Sequence, residues 1–167
     1  PVDDWPDGLV FDGTHIWVSH TFDATVSKLR ASDGVLVGTY SVGLEPRHLV
    51  FDGTHIWVYN SGDATLSKLR ASDGVLVGTY STRTIQPGNF AMPTAVGSDG
   101  IHIWLAQYGV DGLVMLRISD GVVEGTYPWW SESALPTHGR VVFGAAHVWT
   151  VNWFENTVRK SRTVGLC

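Results

Sequence analysis

An eight-residue phrase, Phe11-Asp12-Gly13-Thr14-His15-Ile16-Trp17-Val18, returns unchanged 40 residues later as Phe51-Asp52-Gly53-Thr54-His55-Ile56-Trp57-Val58. Looser copies follow after further steps of 47 and 45 residues. These are Asp99-Gly100-Ile101-His102-Ile103-Trp104-Leu105 and Phe143-Gly144-Ala145-Ala146-His147-Val148-Trp149. A second phrase, Ser27-Lys28-Leu29-Arg30-Ala31-Ser32-Asp33-Gly34, keeps step, with a twin at Ser67 to Gly74 and weaker descendants at Leu116 to Gly121 and Val158 to Arg162. A period of this length marks a repeat protein, in which each unit buries its apolar surface against its neighbours.

One repeat reads as four short strands. Leu49-Val50-Phe51 is an apolar run ended by Asp52-Gly53, a hairpin signal of the type I′ kind in which both central residues take positive φ. His55 to Tyr59 is rich in β-branched and aromatic residues, and Ser61-Gly62-Asp63 is a polar turn. Thr65 to Arg70 alternates apolar with polar, as a half-buried strand does. Ser72-Asp73-Gly74 turns the chain again into Val75 to Tyr80. Four strands in about 40 residues, repeated in tandem, predict an all-β protein of β-propeller type. Strict repetition disfavours a β-sandwich, and a coil this long disfavours a β-helix.

The repeats fall at about 7–46, 47–92, 93–137 and 138–167, the last truncated before its Val-Gly-Thr-Tyr strand. A chain beginning at Pro1 is expected to be a processed or excised product. Three closures fit this count: a small four-bladed ring with a three-stranded last blade, half of a larger ring completed by a second copy, or a segment of a longer array. Self-association through the terminal blades is the expectation, because bare apolar blade faces and unpaired edges are association sites.

The two phrases resemble those of the bacterial YVTN, NHL and virginiamycin B lyase-like propellers over nearly the whole chain. The resemblance implies the fold more than the activity, because the shared residues are structural.

Composition narrows the partners. The chain has 167 residues and a formal net charge of −5, and its Lys and Arg residues mostly recur once per repeat. That argues against nucleic acid, which needs clustered basic residues. No apolar run is long enough to cross a membrane as a helix, so a membrane is not expected as a partner. One cysteine, Cys167, excludes an internal disulfide and leaves the compartment open.

The turns between first and second strands and between third and fourth strands share one face of a blade array, and here they are short and nearly invariant. The second-to-third turns and the inter-blade links share the opposite face and vary, so a site is expected there. Two positional series point to it. The second strands end in His20, Asn60, Gln107 and Asn152, and the approaches to the first strands carry Asp7, Arg47, Thr94 and His138, each near a proline. Such groups are able to orient a polar ligand, or simply to satisfy the blade edge. Aromatics gather in the same loops: Phe22, Phe90, Tyr108, Trp129, Trp130, Trp153 and Phe154. The ligand-binding expectation is therefore His20, Asn60, Gln107, Asn152, Arg47, His138, Trp129, Trp130 and Trp153, with Trp130 in contact with any ligand. The recurrent Trp17, Trp57, Trp104 and Trp149 are expected in the core.

His15, His55, His102 and His147 hold one repeat position, each in a different blade, and are expected to be structural rather than metal ligands. No spacing supports zinc, and no cofactor is expected. The expected function is a non-catalytic binding scaffold for a small molecule, glycan or protein. The alternative implied by the resemblance is a metal-assisted lyase or hydrolase at the channel mouth, where Glu45-Pro46-Arg47-His48 and Leu135-Pro136-Thr137-His138 resemble the lyase-type loops. There Arg47 stands directly after Pro46, His48 is displaced by one residue, and the second loop lacks a Glu. A third possibility is a purely structural segment of a larger propeller.

Overall fold

The computed structural model describes residues 5–82, 93–107, 112–128, 141–144, 147–152 and 157–162. Every regular element among them is a β-strand. The first repeat forms β1 (Pro6–Phe11), β2 (His15–His20), β3 (Thr25–Arg30) and β4 (Leu36–Ser41). The second forms β5 (Pro46–Phe51), β6 (His55–Asn60), β7 (Thr65–Arg70) and β8 (Leu76–Ser81). The third forms β9 (Pro93–Ser98), β10 (His102–Gln107), β11 (Gly112–Arg117) and β12 (Val123–Pro128). The fourth contributes β13 (Val141–Gly144), β14 (His147–Asn152) and β15 (Thr157–Arg162). Each repeat is an antiparallel meander in sequence order, three of them four-stranded and the last three-stranded among the described residues. These are propeller blades. The chain divides into two compact units, Pro1–Thr84 and Ile85–Cys167.

In the first unit, blades 1 and 2 stack face to face. The two-residue side-chain period puts Val10, Trp17, Val26, Tyr40 and Val42 on one face of blade 1, and Leu49, Phe51, Ile56, Val58, Leu69 and Ala71 on the side of blade 2 that meets it. Trp17, Val26, Ile56, Val58 and Leu69 are fully buried there. At about 1.5–3 kcal/mol for each large apolar side chain, this seam is a main source of the unit's stability. It also has polar clips. Lys28 Nζ donates to the carbonyls of Ala71 (2.7 Å) and Ser72 (3.1 Å) on blade 2 while lying 5.1 Å above the Trp17 ring. The Ser19 hydroxyl accepts from the Gly8 N–H and donates to the Arg47 carbonyl, both at 2.9 Å. A Cβ at Gly8 would run into that same Arg47 carbonyl, so β1 and β5 approach this closely only because position 8 is glycine.

The Asp-Gly turns differ from the sequence expectation. In the first-to-second turns of blades 1 and 2, Gly13 and Gly53 have positive φ, at 100° and 102°, but Asp12 and Asp52 do not. Asp12 instead lies before the turn's centre and closes it with its side chain. Its Oδ1 accepts from the N–H groups of Thr14 (2.8 Å) and His15 (2.7 Å), a bond pattern that a type I′ turn would give to the backbone carbonyl.

The β2–β3 and β6–β7 turns place Ala24 and Ala64 in the left-handed region, each with φ of 53°. That conformation costs a residue with a Cβ roughly 1–2 kcal/mol, and glycine avoids it at an entropic cost of roughly 0.5–1 kcal/mol. Ala64→Gly is therefore expected to stabilise the chain by about 0.5 kcal/mol, read as a small rise in the urea midpoint.

In the second unit, Ala95, Trp104, Ala106, Leu113 and Met115 form the core of blade 3, and β13 lies beside β9. Trp17, Trp57 and Trp104 are buried as expected. Trp149 is not: it is 42% exposed, together with Val142 and Val158 on the same sheet. Two differences account for this. Nothing among the described residues covers that face, and the aspartate that clamps the other three indoles is Gly144 in the fourth repeat.

Candidate functional site

The invariant turns contain a structural device. Asp12 Oδ2 accepts from the Trp17 indole N–H at 2.8 Å, Asp52 from Trp57 at 2.7 Å and Asp99 from Trp104 at 2.9 Å. Burial alone would raise the Asp12 carboxyl. Hydrogen bonds from Trp17, from the His15 and Thr14 backbones and from the Thr14 hydroxyl outweigh it and lower the pKa to about 2. Asp52 and Asp99 are lowered by the same balance. The repeat histidines serve these turns. His15 and His55 Nδ1 lie 2.8 and 2.7 Å from the hydroxyls of Thr14 and Thr54, and His102 lies between Asp99 (3.2 Å) and Glu124 (3.1 Å). Burial, followed by the charge of Lys68, pushes His55 below its ordinary value. Arg30–Asp33 and Arg70–Asp73, both at 2.8 Å, lock the third-to-fourth turns. Every carboxylate named on this face is engaged within its own blade.

The opposite face of the first unit is built differently. Pro6 pairs with His20 but Leu9 with Val18, and Pro46 pairs with Asn60 but Leu49 with Val58, so β1 and β5 each carry one extra residue there. A bulge re-aims side chains at a strand end. It also shows that Asp7 and Arg47, read from the sequence as loop residues, stand within the strands. Here the bulges bring those two residues together, with Arg47 Nη1 3.4 Å from Asp7 Oδ2. Arg47 further reaches Glu45 at 3.7 Å and donates from Nε to the Ser61 hydroxyl at 3.0 Å, while that hydroxyl lies 3.1 Å from Glu45 Oε2. Asp7, Glu45 and Arg47 remain substantially exposed.

Beside this cluster stands an exposed aromatic pair. The rings of Trp5 and Phe22 meet edge to face at 5.4 Å. Trp5 and Glu45 occupy the same repeat position before a proline, and both are left-handed, with φ of 53° and 49°. Backbone of this kind in a residue other than glycine is strained and is held only by its surroundings. Here the Trp5 carbonyl accepts from the Thr21 N–H (3.1 Å) and the Glu45 carbonyl from the Ser61 N–H (2.9 Å). Both side chains project on the variable-loop face. Trp5 was not visible as a site residue from sequence, since it occurs once; its alignment with Glu45 at the Xaa-Pro step was the available signal.

His20 and Asn60 end β2 and β6 and are fully buried. His20 Nε2 lies 2.9 Å from Ser27 Oγ, and Asn60 Nδ2 donates to Thr65 Oγ1 (3.0 Å) and Ser67 Oγ (2.9 Å). Each keeps one atom, His20 Nδ1 and Asn60 Oδ1, with no hydrogen-bond partner among the described residues. Gln107 and Asn152 end β10 and β14, but their side chains lie outside the described residues, as do His138, Trp129, Trp130 and Trp153.

No family model matches the chain, and no curated protein matches it. Solved structures do. A streptogramin B lyase structure aligns over 97% of this chain and 56% of its own, at 18% identity and a TM-score of 0.69. Virginiamycin B lyase from Staphylococcus aureus aligns over 97% and 57%, at 12% identity and a TM-score of 0.70. The computationally designed Ika4 protein aligns over 97% and 93%, at 13% identity and a TM-score of 0.71. The fold is that of a β-propeller. The chain spans a little over half the length of the two lyases and nearly all of the designed protein.

Proposed function

We propose that this chain is a non-catalytic propeller scaffold that binds a glycan or similar polar ligand on its variable-loop face. The observation that carries the reading is the exposed Trp5–Phe22 pair beside the Asp7, Glu45, Arg47 and Ser61 network. A flat apolar ring pair suits the apolar face of a sugar, and a network of fixed donors and acceptors beside it suits the hydroxyls. His20 Nδ1 and Asn60 Oδ1 lie at the same strand ends but are buried, so they back this face and do not contact the ligand directly. Trp129, Trp130, Trp153, Gln107, Asn152 and His138 remain proposed ligand residues of the second unit on their sequence pattern alone.

The fold likeness to streptogramin and virginiamycin B lyases motivates a second reading, a metal-assisted lyase. The described residues do not fit a metal there. Glu45 is turned to Arg47 and Ser61, and no three His, Cys, Asp or Glu side chains converge among the described residues.

A glycan array followed by calorimetry tests the proposal. Trp5→Ala, Phe22→Ala and Arg47→Ala are each expected to weaken binding by about tenfold or more without lowering thermal stability, because all three side chains are solvent-facing. Binding that survives all three substitutions, or that is lost only on changing the Asp12-Gly13 and Asp52-Gly53 turns, would refute it.

A further inference from the structure

The near face of blade 1 repeats the near face of blade 2 residue for residue, yet only one of them is covered. Leu49 is 8% exposed beneath blade 1, while its counterpart Leu9 is 68% exposed. Phe11, Ile16, Leu29 and Ala31 are likewise more exposed than Phe51, Ile56, Leu69 and Ala71. Leu9, Ile16, Val18, Leu29 and Ala31 line an open groove of about 520 Å³. What fits this surface is already on display inside the molecule. On blade 2 it receives Val10, Trp17, Val26 and Lys28 of blade 1, with Lys28 donating to the Ala71 and Ser72 carbonyls.

The fourth repeat presents that same set, unused. Val142, Trp149, Val158 and Lys160 stand at the positions of Val10, Trp17, Val26 and Lys28, and the register matches: Trp17 pairs with Lys28, and Trp149 with Lys160. All four are exposed. Lys160 Nζ lies 5.2 Å from the Trp149 ring centroid, the same pose that Lys28 takes over Trp17 at 5.1 Å. Blade 3 would not serve, since methionine stands at its lysine position, Met115 opposite Trp104.

We propose that the β13–β15 face of one chain docks on the β1–β3 face of a second copy, head to tail, rebuilding the seam between blades 1 and 2. Val142, Trp149 and Val158 enter the groove beside Leu9, Ile16 and Leu29, and Lys160 donates to the Ala31 and Ser32 carbonyls of the other chain. The contact is heterologous: each copy offers one face of each kind. Its polar clip also fixes the register, because the ammonium reaches both carbonyls only when Trp149 is seated.

Sedimentation velocity on the 167-residue chain across micromolar concentrations tests this. The wild type is expected to exceed the 18.2 kDa chain mass, increasingly so with concentration. Leu9→Asp and Trp149→Asp each remove one face at an exposed position, and each is expected to weaken association by more than about tenfold. Circular dichroism checks that both remain folded. Mixing the two variants restores one intact pair of faces, so a two-chain species is expected from the mixture that neither variant forms alone. A wild-type chain that stays at 18.2 kDa overturns the proposal in favour of a seam closed by other means. Association that Leu9→Asp leaves unchanged, or variants that do not complement, overturns it in favour of another surface.

Discussion

Trp57→Ala lowers the stability of the chain by about 3–5 kcal/mol, the range for removing a large side chain from a packed core. The Trp57 indole is fully buried, packs 5.4 Å from the Tyr80 ring, lies under the Lys68 ammonium at 4.8 Å and donates to Asp52 at 2.7 Å. Truncation empties the core position, strips the cation of its aromatic face and leaves the aspartate with one bond fewer. Set against a total stability of about 5–15 kcal/mol, that is close to unfolding. The same substitution at Trp149 is expected to cost less than about 1 kcal/mol in dilute chain, because that ring is already half in water and has no aspartate partner. Urea unfolding of the two variants checks the contrast. Equal losses would mean that the fourth repeat packs like the second and that Trp149 is covered.

Removing the clamp instead of the ring has nearly the same effect. Asp52→Ala takes away the acceptor of four donors: the Thr54 and His55 N–H groups, the Thr54 hydroxyl and the buried Trp57 indole. A loss of about 3 kcal/mol is expected, since a buried donor is left unpaired and bonds to a charged acceptor are lost. The clamp also makes stability depend on acid. The folded pKa of Asp12 is held at about 2, below its unfolded value, so the unfolded chain binds more protons between the two. The stabilisation, about 2 kcal/mol for Asp12, is full above the unfolded value near 4 and is lost as pH falls towards 2. Asp52 and Asp99 are shifted in the same direction. Unfolding midpoints at pH 7 and pH 3 should therefore diverge steeply for the wild type and less so for Asp52→Asn. That variant keeps one acceptor but cannot ionise. An acid limb unchanged in Asp52→Asn would assign the pH dependence elsewhere.

Strand order and the four tandem repeats of this chain were legible in the sequence because each rests on local signals: the Asp-Gly and Ser-Asp-Gly turns, the two-residue alternation of Thr65 to Arg70, and literal repetition. The turn geometry was not, since Asp52 prefers to cap the loop with its side chain, and dipeptide chemistry alone does not reveal that choice. Nor was the burial of Trp149. Its motif repeats those of Trp17 and Trp57, but burial depends on what lies opposite, which is a property of neighbours. At the candidate site, Arg47 was visible as a charged residue beside a proline. Its pairing with Asp7, 40 residues away, needed two matched bulges that no short sequence window contains. Trp5 was hidden for the opposite reason, as a residue whose repeat counterpart, Glu45, has unrelated chemistry.

The literal sameness of blades 1 and 2 sets a hazard for the chain as it acquires structure. Wherever an unfinished blade 1 seeks the partner blade 2 of its own chain, every neighbouring chain offers an indistinguishable substitute, down to the carbonyls that receive Lys28. Correct pairing is then decided by effective concentration within the chain and not by recognition, a known source of inter-chain misassembly in tandem repeats. Renaturation yield should fall as chain concentration rises. The divergent third repeat, with its methionine in place of the lysine, is the part of the sequence that tells one register from the next.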